Sequence, residues 1–167
     1  MNGTQVLTEA AGRISGLAEQ LKNISPQQLN AHLGGHPNAI AWQLWHTGRE
    51  IDIQVVEMTG GTEVWESVGF AEKTGLGAKG TELGLGHSPE DAWAIHGEDP
   101  RVFVEYAQAA AQVLVDYIAT LHDDDLDAIV DDRWDPPVSR GTRLVSIIED
   151  ATIHLGQALF ILGTIAD

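Results

Sequence analysis

Hydrophobic residues recur at spacings of three and four in four long stretches, the mark of helices with one face turned inward. The first covers residues 4–23, with Val6, Leu7, Ala10, Ala11, Ile14, Leu17, Ala18 and Leu21 in register. Ser25-Pro26 then opens a short helical turn, with the serine as cap and the proline at the first position. The second stretch covers 38–58, starting from a capping Asn38. The third covers 99–121 from Asp99-Pro100, and Gly97 separates it from a shorter helix that starts at Ser88-Pro89. The fourth covers 142–165. Between the second and third, residues 59–87 are broken by Gly60, Gly61, Gly69, Gly75, Gly77, Gly80, Gly84 and Gly86, with one amphipathic piece at 63–70. Asp123 is read as the cap of a short turn, and residues 131–137 as an extended pair or turn. No strand alternation and no internal repeat competes with this pattern. The expectation is an all-α chain, one domain over 1–167, folded as a four-helix bundle with a long Gly-rich crossover and short extra helices.

Composition narrows the chemistry. A hydrophobic share of 43% and five tryptophans support a packed core. Against 25 acidic residues stand 9 basic ones, a formal charge of -16, which repels phosphate backbones and argues against nucleic-acid binding. The chain contains no cysteine, so any metal ligands must be His, Asp or Glu, and any thiol must come from outside. No basic segment followed by an apolar run opens the chain, and no uninterrupted apolar run reaches the ~18 residues of a membrane span. A cytoplasmic protein without membrane contact is the expectation.

The last helix carries the unusual stripe. Asp150 and His154 are four apart and share a face, which extends back through Ile147 to Arg143. A carboxylate and an imidazole one turn apart can grip a divalent ion from one side. Glu149 points more than a right angle away. The second helix offers His46, with Glu50 one turn on as a partner that orients the imidazole, while Asp52 points elsewhere. His32 and His36 are also four apart, but Gly34, Gly35 and Pro37 break the helix that would align them. Two imidazoles and one carboxylate suit zinc foremost, and nickel or ferrous iron, with positions left open.

The segment Trp42-Gln43-Leu44-Trp45-His46, followed late in the chain by Asp150-x-x-x-His154-Leu155-Gly156-Gln157, resembles the DinB-like superfamily. In particular it resembles the actinobacterial branch that includes the metal-binding domain of mycothiol-dependent maleylpyruvate isomerase. The resemblance implies a four-helix bundle with a divalent metal on His46, Asp150 and His154. Asp150 stands where that branch has glutamate. It also implies a low-molecular-weight thiol of the mycothiol, bacillithiol or glutathione kind, presented by the metal to a small electrophile in a transferase or isomerase reaction. Arg143 then reads in two ways: as the group that takes a carboxylate of thiol or substrate, with the site's opening beside it, or as a surface arginine at a helix start. A non-catalytic metal- or ligand-binding bundle of stress response and a metal-water hydrolase are the alternatives. A homodimer is expected, because Leu44, Ile51, Val55 and Val56 surround more of the second helix than one bundle interior covers.

Overall fold

The computed structural model describes residues 1–165. Its long helices are α1 (Gly3–Glu19), α3 (Ile40–Thr59), α7 (Pro100–Ala119) and α8 (Arg140–Thr164). Between them lie the short helices α2 (Pro26–Leu29), α4 (Val64–Ser67), α5 (Phe70–Thr74) and α6 (Pro89–Trp93). Strands β1 (Ile129–Asp131) and β2 (Val138–Ser139) pair antiparallel just before α8. Around the bundle the order is α1, α7, α3, α8, so α1 and α3 stand diagonally opposite. The fold is an all-α four-helix bundle, as the periodicity led one to expect.

The caps follow local chemistry. Ser25 and Ser88 each close a capping box ahead of a proline, and Asp99 caps α7. Two expectations are corrected. The cap of α3 is Ala39 rather than Asn38, and it makes no side-chain bond. Asp123 starts a 3-10 turn, but its carboxylate reaches across the chain to accept from the amides of Gly3 and Thr4 at 3.1 and 3.0 Å. It thereby serves the N-terminus of α1, where free amides favour an anion.

Helix α3 is the best covered element: every residue from Ile40 to Asp52 is buried. One flank packs on α7, where a Cβ on Gly48 would stand 2.4 Å from the Tyr106 ring. The other packs on α8, and the Gly-rich crossover covers the remainder. Leu44, Ile51 and Val55, read from sequence as surplus for a dimer, are therefore core residues of one chain. Helix α8 has the length and apolar composition of a membrane span, yet it is a bundle helix packed on α1 and α3.

Candidate metal centre

Helix α3 delivers His46 and helix α8 delivers Asp150 and His154 to one point, where one ligand atom from each lies within 4.8 Å of the others. Among the described residues this is the one such grouping of three or more potential ligands. His46 Nε2 stands 3.6 Å from Asp150 Oδ2, and His154 Nε2 stands 3.5 Å from Asp150 Oδ1. The other nitrogen of each ring is already committed. His46 Nδ1 meets the Leu83 carbonyl at 2.7 Å, and His154 Nδ1 meets Gln43 Oε1 at 2.6 Å. Both partners only accept, so both Nδ1 atoms must carry hydrogen, and in the neutral rings both Nε2 lone pairs face the carboxylate.

That arrangement lacks a positive charge at its centre. Asp150 Oδ2 is buried without a hydrogen-bond partner. Desolvation pushes the Asp150 carboxyl up; only protonated rings, donating from Nε2 and carrying charge, outweigh it and hold the group well below the usual carboxylate range, so the carboxylate is stabilised when a cation, proton or metal, occupies the centre. The donor set fits a divalent ion. Ligands at about 2.0–2.2 Å from a tetrahedral zinc lie roughly 3.4 Å apart, close to the His–Asp separations here. Three protein ligands leave a position open.

The crossover holds the rings in place. Leu83 belongs to it, and Gly84 beside it has φ +93°, where a Cβ would come within 2.8 Å of Trp45 and 3.0 Å of His46 Nδ1. Glycine alone combines that backbone with that clearance. Trp42 stacks on His46 with ring centroids 4.6 Å apart, and meets His154 edge-on at 5.5 Å. Its Nε1–H donates to His87 Nδ1 at 3.3 Å, and His87 Nε2–H donates to Glu82 at 2.9 Å. Sequence reasoning missed both Leu83 and His87. A backbone carbonyl leaves no trace in residue type, and His87 sits among glycines with no periodic neighbour.

Glu50 lies one turn beyond His46 and is 6% exposed. Leu83, not Glu50, orients the His46 imidazole, which corrects the expectation from spacing. One Glu50 oxygen takes a bond from Gln54, and Oε2 is buried without a partner. Burial first, and then the charge of Asp150, push this carboxyl up to about 9 against the opposing pull of Gln54 and Arg143. A polar row continues outward. Arg143 donates to Gln54 at 2.7 Å and to Asp131 at 2.8 Å, and Asp131 also binds the exposed Arg133.

The cavity that reaches the cluster opens elsewhere. About 470 Å³ in volume, it has Gln43 and His154 in its wall, with Leu33, His36 and Asn38 from the loop before α3 and Gln157 and Phe160 from α8. Arg143 is not among its lining residues, so the opening expected beside Arg143 is found farther along α8 toward its C-terminus. Glu149 is exposed on the outer face of α8. His32 stacks on Trp93, outside the cluster.

Comparison with known proteins agrees with this picture. The crystal structure of a conserved protein from Enterococcus faecalis is similar, with TM-score 0.87 and 28% identity, covering 97% of this chain and 96% of that one. No match is found among functionally described proteins. A family model described as the DinB superfamily matches residues 7–158, which takes in all three members of the cluster. Members of that superfamily bind metals, and the His/Asp/His cluster on α3 and α8 is a candidate site of that kind. With the match spanning nearly the whole bundle, this chain belongs to the DinB superfamily.

Proposed function

We propose that His46, Asp150 and His154 hold one divalent ion, zinc foremost with nickel or iron as alternatives, and that the protein is a thiol-dependent transferase or isomerase acting on small electrophiles. A low-molecular-weight thiol of the mycothiol type supplies the nucleophile, since the chain has no cysteine of its own. The observation that carries the metal reading is the pair of Nδ1 atoms tied to Leu83 and Gln43, which turns both Nε2 lone pairs on Asp150. A divalent ion at that point would lower the pKa of a coordinating thiol and make it nucleophilic at neutral pH. The chain's own part is positional. Trp42 and the crossover shield the His46 side from water, while the cavity beside His154 admits the thiol and its electrophile. Arg143, engaged with Gln54 and Asp131, steadies the polar row rather than meeting the ligand.

Pairing of two copies belongs to the same proposal, across the face of α1 and α8 where Val6, Val145 and Ile153 stand half exposed. A monomeric mass by light scattering at micromolar concentration ends that part. Metal analysis and a thermal-shift series test the rest. One ion per chain is expected, with further stabilisation by thiol only once the ion is bound. A metal-loaded protein indifferent to every thiol would be a metal-binding bundle without this chemistry.

A further inference from the structure

We infer that Glu50 is a fourth protein ligand of the ion, adding a second carboxylate to the His46, Asp150 and His154 set. The inference rests on the metal reading above and extends the group of residues that hold the ion. Among the described residues, four buried side-chain atoms lack a hydrogen-bond partner: Glu50 Oε2, Asp150 Oδ2, Trp65 Nε1 and Arg140 Nε. The last two are donors, so the orphaned acceptors are the two carboxylate oxygens alone. Neither satisfies the other: no hydrogen bond joins them, and two ionised carboxylates only accept. Each needs a hydrogen or a cation from elsewhere, and a buried acceptor left bare costs stability. Burial and then the charge of Asp150 act on the Glu50 carboxyl, so the two groups stand in one field.

Helix geometry leads Glu50 to the same place. It follows His46 by one turn of α3, so the two lie one above the other on a single face. Leu83 already orients the His46 ring, which leaves Glu50 free of that task. Its Oε1 accepts from Gln54, while Oε2 has no use within the metal-free chain. Among the described residues no Lys or Arg pairs with it: Arg143, whose charge reaches Glu50, donates to Gln54 and Asp131 instead. At 6% exposed, Glu50 is also shut off from water. A dication between Asp150 and Glu50 satisfies both oxygens and leaves the buried centre without net charge. Glu50 is not among the three residues already gathered in the metal-free structure, so a turn about its side-chain bonds, with release of Gln54, brings Oε2 to the ion. The cavity is not blocked by this. Gln43, which precedes His46 on α3, lines it, whereas Glu50, which follows His46, does not. Zinc accepts a fifth ligand, so that side stays open to a thiol.

Two measurements on the Glu50→Gln variant test this: zinc affinity by competition with a chromogenic chelator, and urea unfolding of the metal-free protein. Glutamine keeps the volume and an oxygen for Gln54 but removes the charge. Zinc binding should weaken about 100-fold or more, beyond what loss of a group that merely supports a ligand costs. The metal-free variant should be no less stable than wild type, because a buried carboxyl is gone. Movement of the two readouts apart marks a ligand; a packing residue would lower both, and that result overturns the inference. So does a zinc affinity within about tenfold of wild type. A crystal structure of the zinc-loaded wild-type protein needs no variant: a Glu50 oxygen is expected at about 2.0–2.2 Å from the ion, and one held off behind a water overturns the inference. A wild-type protein that takes up no zinc brings down the metal reading itself, whereas zinc held equally well by both proteins brings down the role of Glu50 alone.

Discussion

Helix α3 carries two buried polar clusters within one turn of each other, and they are finished differently. Around Arg49, 1% exposed, nearly everything is paired. The guanidinium donates to Glu63 at 2.7 Å, to the Tyr106 hydroxyl at 3.3 Å, and to the carbonyls of Thr81 and Glu82 at 2.9 and 3.2 Å. Asp52 accepts from the amides of Val64 and Trp65, each at 2.9 Å, and from Tyr106 at 3.1 Å. Only the Trp65 indole N–H nearby lacks a partner. Around His46 the reverse holds: Glu50 Oε2 and Asp150 Oδ2 are buried and unpaired, and two imidazole lone pairs converge on a carboxylate. Unpaired buried groups cost stability, so a closed cluster reads as a fastening and an open one as a place for something else. The Arg49 cluster fastens the crossover onto α3; the His46 cluster uses that fastening to hold its rings.

The comparison breaks if the two clusters respond alike. Arg49→Met should be the most damaging change, because it strands Asp52 and the partly buried Glu63 without their cation. A loss of about 3–5 kcal/mol in urea unfolding is expected, with one ion still bound per folded chain at saturating metal. His154→Ala should do the opposite, abolishing metal binding while changing the metal-free stability by less than ~1 kcal/mol, since it also relieves an uncompensated cluster. Unchanged metal stoichiometry in that variant removes His154 from the site.

Glu50 gives the next largest effect, visible in pH dependence. Unfolded, its carboxyl ionises near the ordinary 4.5; folded and metal-free, it holds its proton to about 9. Below pH 4.5 both states are protonated and the group contributes nothing to the difference. Above it the unfolded chain releases the proton and the folded one keeps it, so stability falls as pH rises from 4.5 to about 9. Glu50→Gln should flatten that slope and stabilise the metal-free protein near pH 8 by on the order of 2 kcal/mol. Parallel stability–pH curves for the two proteins would show that Glu50 does not titrate this way.

Gly84 tests whether the crossover positions the ligand. Gly84→Ala puts a Cβ against Trp45 and His46 in a left-handed backbone, at an expected cost of about 1–3 kcal/mol. Metal affinity should fall about tenfold as Leu83 shifts from His46, which competition with a chromogenic chelator would measure. An affinity equal to wild type means that the Leu83 contact is incidental.

The sequence disclosed the four long helices because burial of one face writes a 3.6-residue period over many turns. It disclosed Asp150 and His154 because their spacing of four is itself that period. It disclosed His46 less directly, through its tryptophan neighbours. What it hid is non-local. The carboxylate of Asp123 on the first amides of α1 spans some 120 positions, and two- and three-residue strands are too short to show alternation. Helix α3 looked over-supplied with apolar residues because its second cover is a loop whose glycines leave no hydrophobic pattern. The same loop provides Leu83, whose useful atom every residue possesses.

Arg143 is expected to give the smallest effect, and it sharpens the comparison most. From sequence alone it is the one cation on the metal stripe, read either as a receiver of a carboxylate or as a surface arginine at a helix start. In the fold its two terminal nitrogens donate to Gln54 and Asp131, and the cavity reaching His154 does not include it. Asp131 keeps Arg133 when Arg143 is removed, so no buried carboxylate is left bare. Arg143→Ala should therefore cost only about 1 kcal/mol, the net worth of one displaced hydrogen-bonded contact. Metal content should stay at the wild-type value, and the visible-spectrum response of the cobalt(II)-loaded protein to an added low-molecular-weight thiol should hold within about twofold, a difference of roughly 0.4 kcal/mol. A tenfold loss of thiol response with metal intact would mean that Gln54 and Asp131 release Arg143 when ligand arrives. The polar row beyond Glu50 would then belong to the open cluster rather than to the fastenings of the fold.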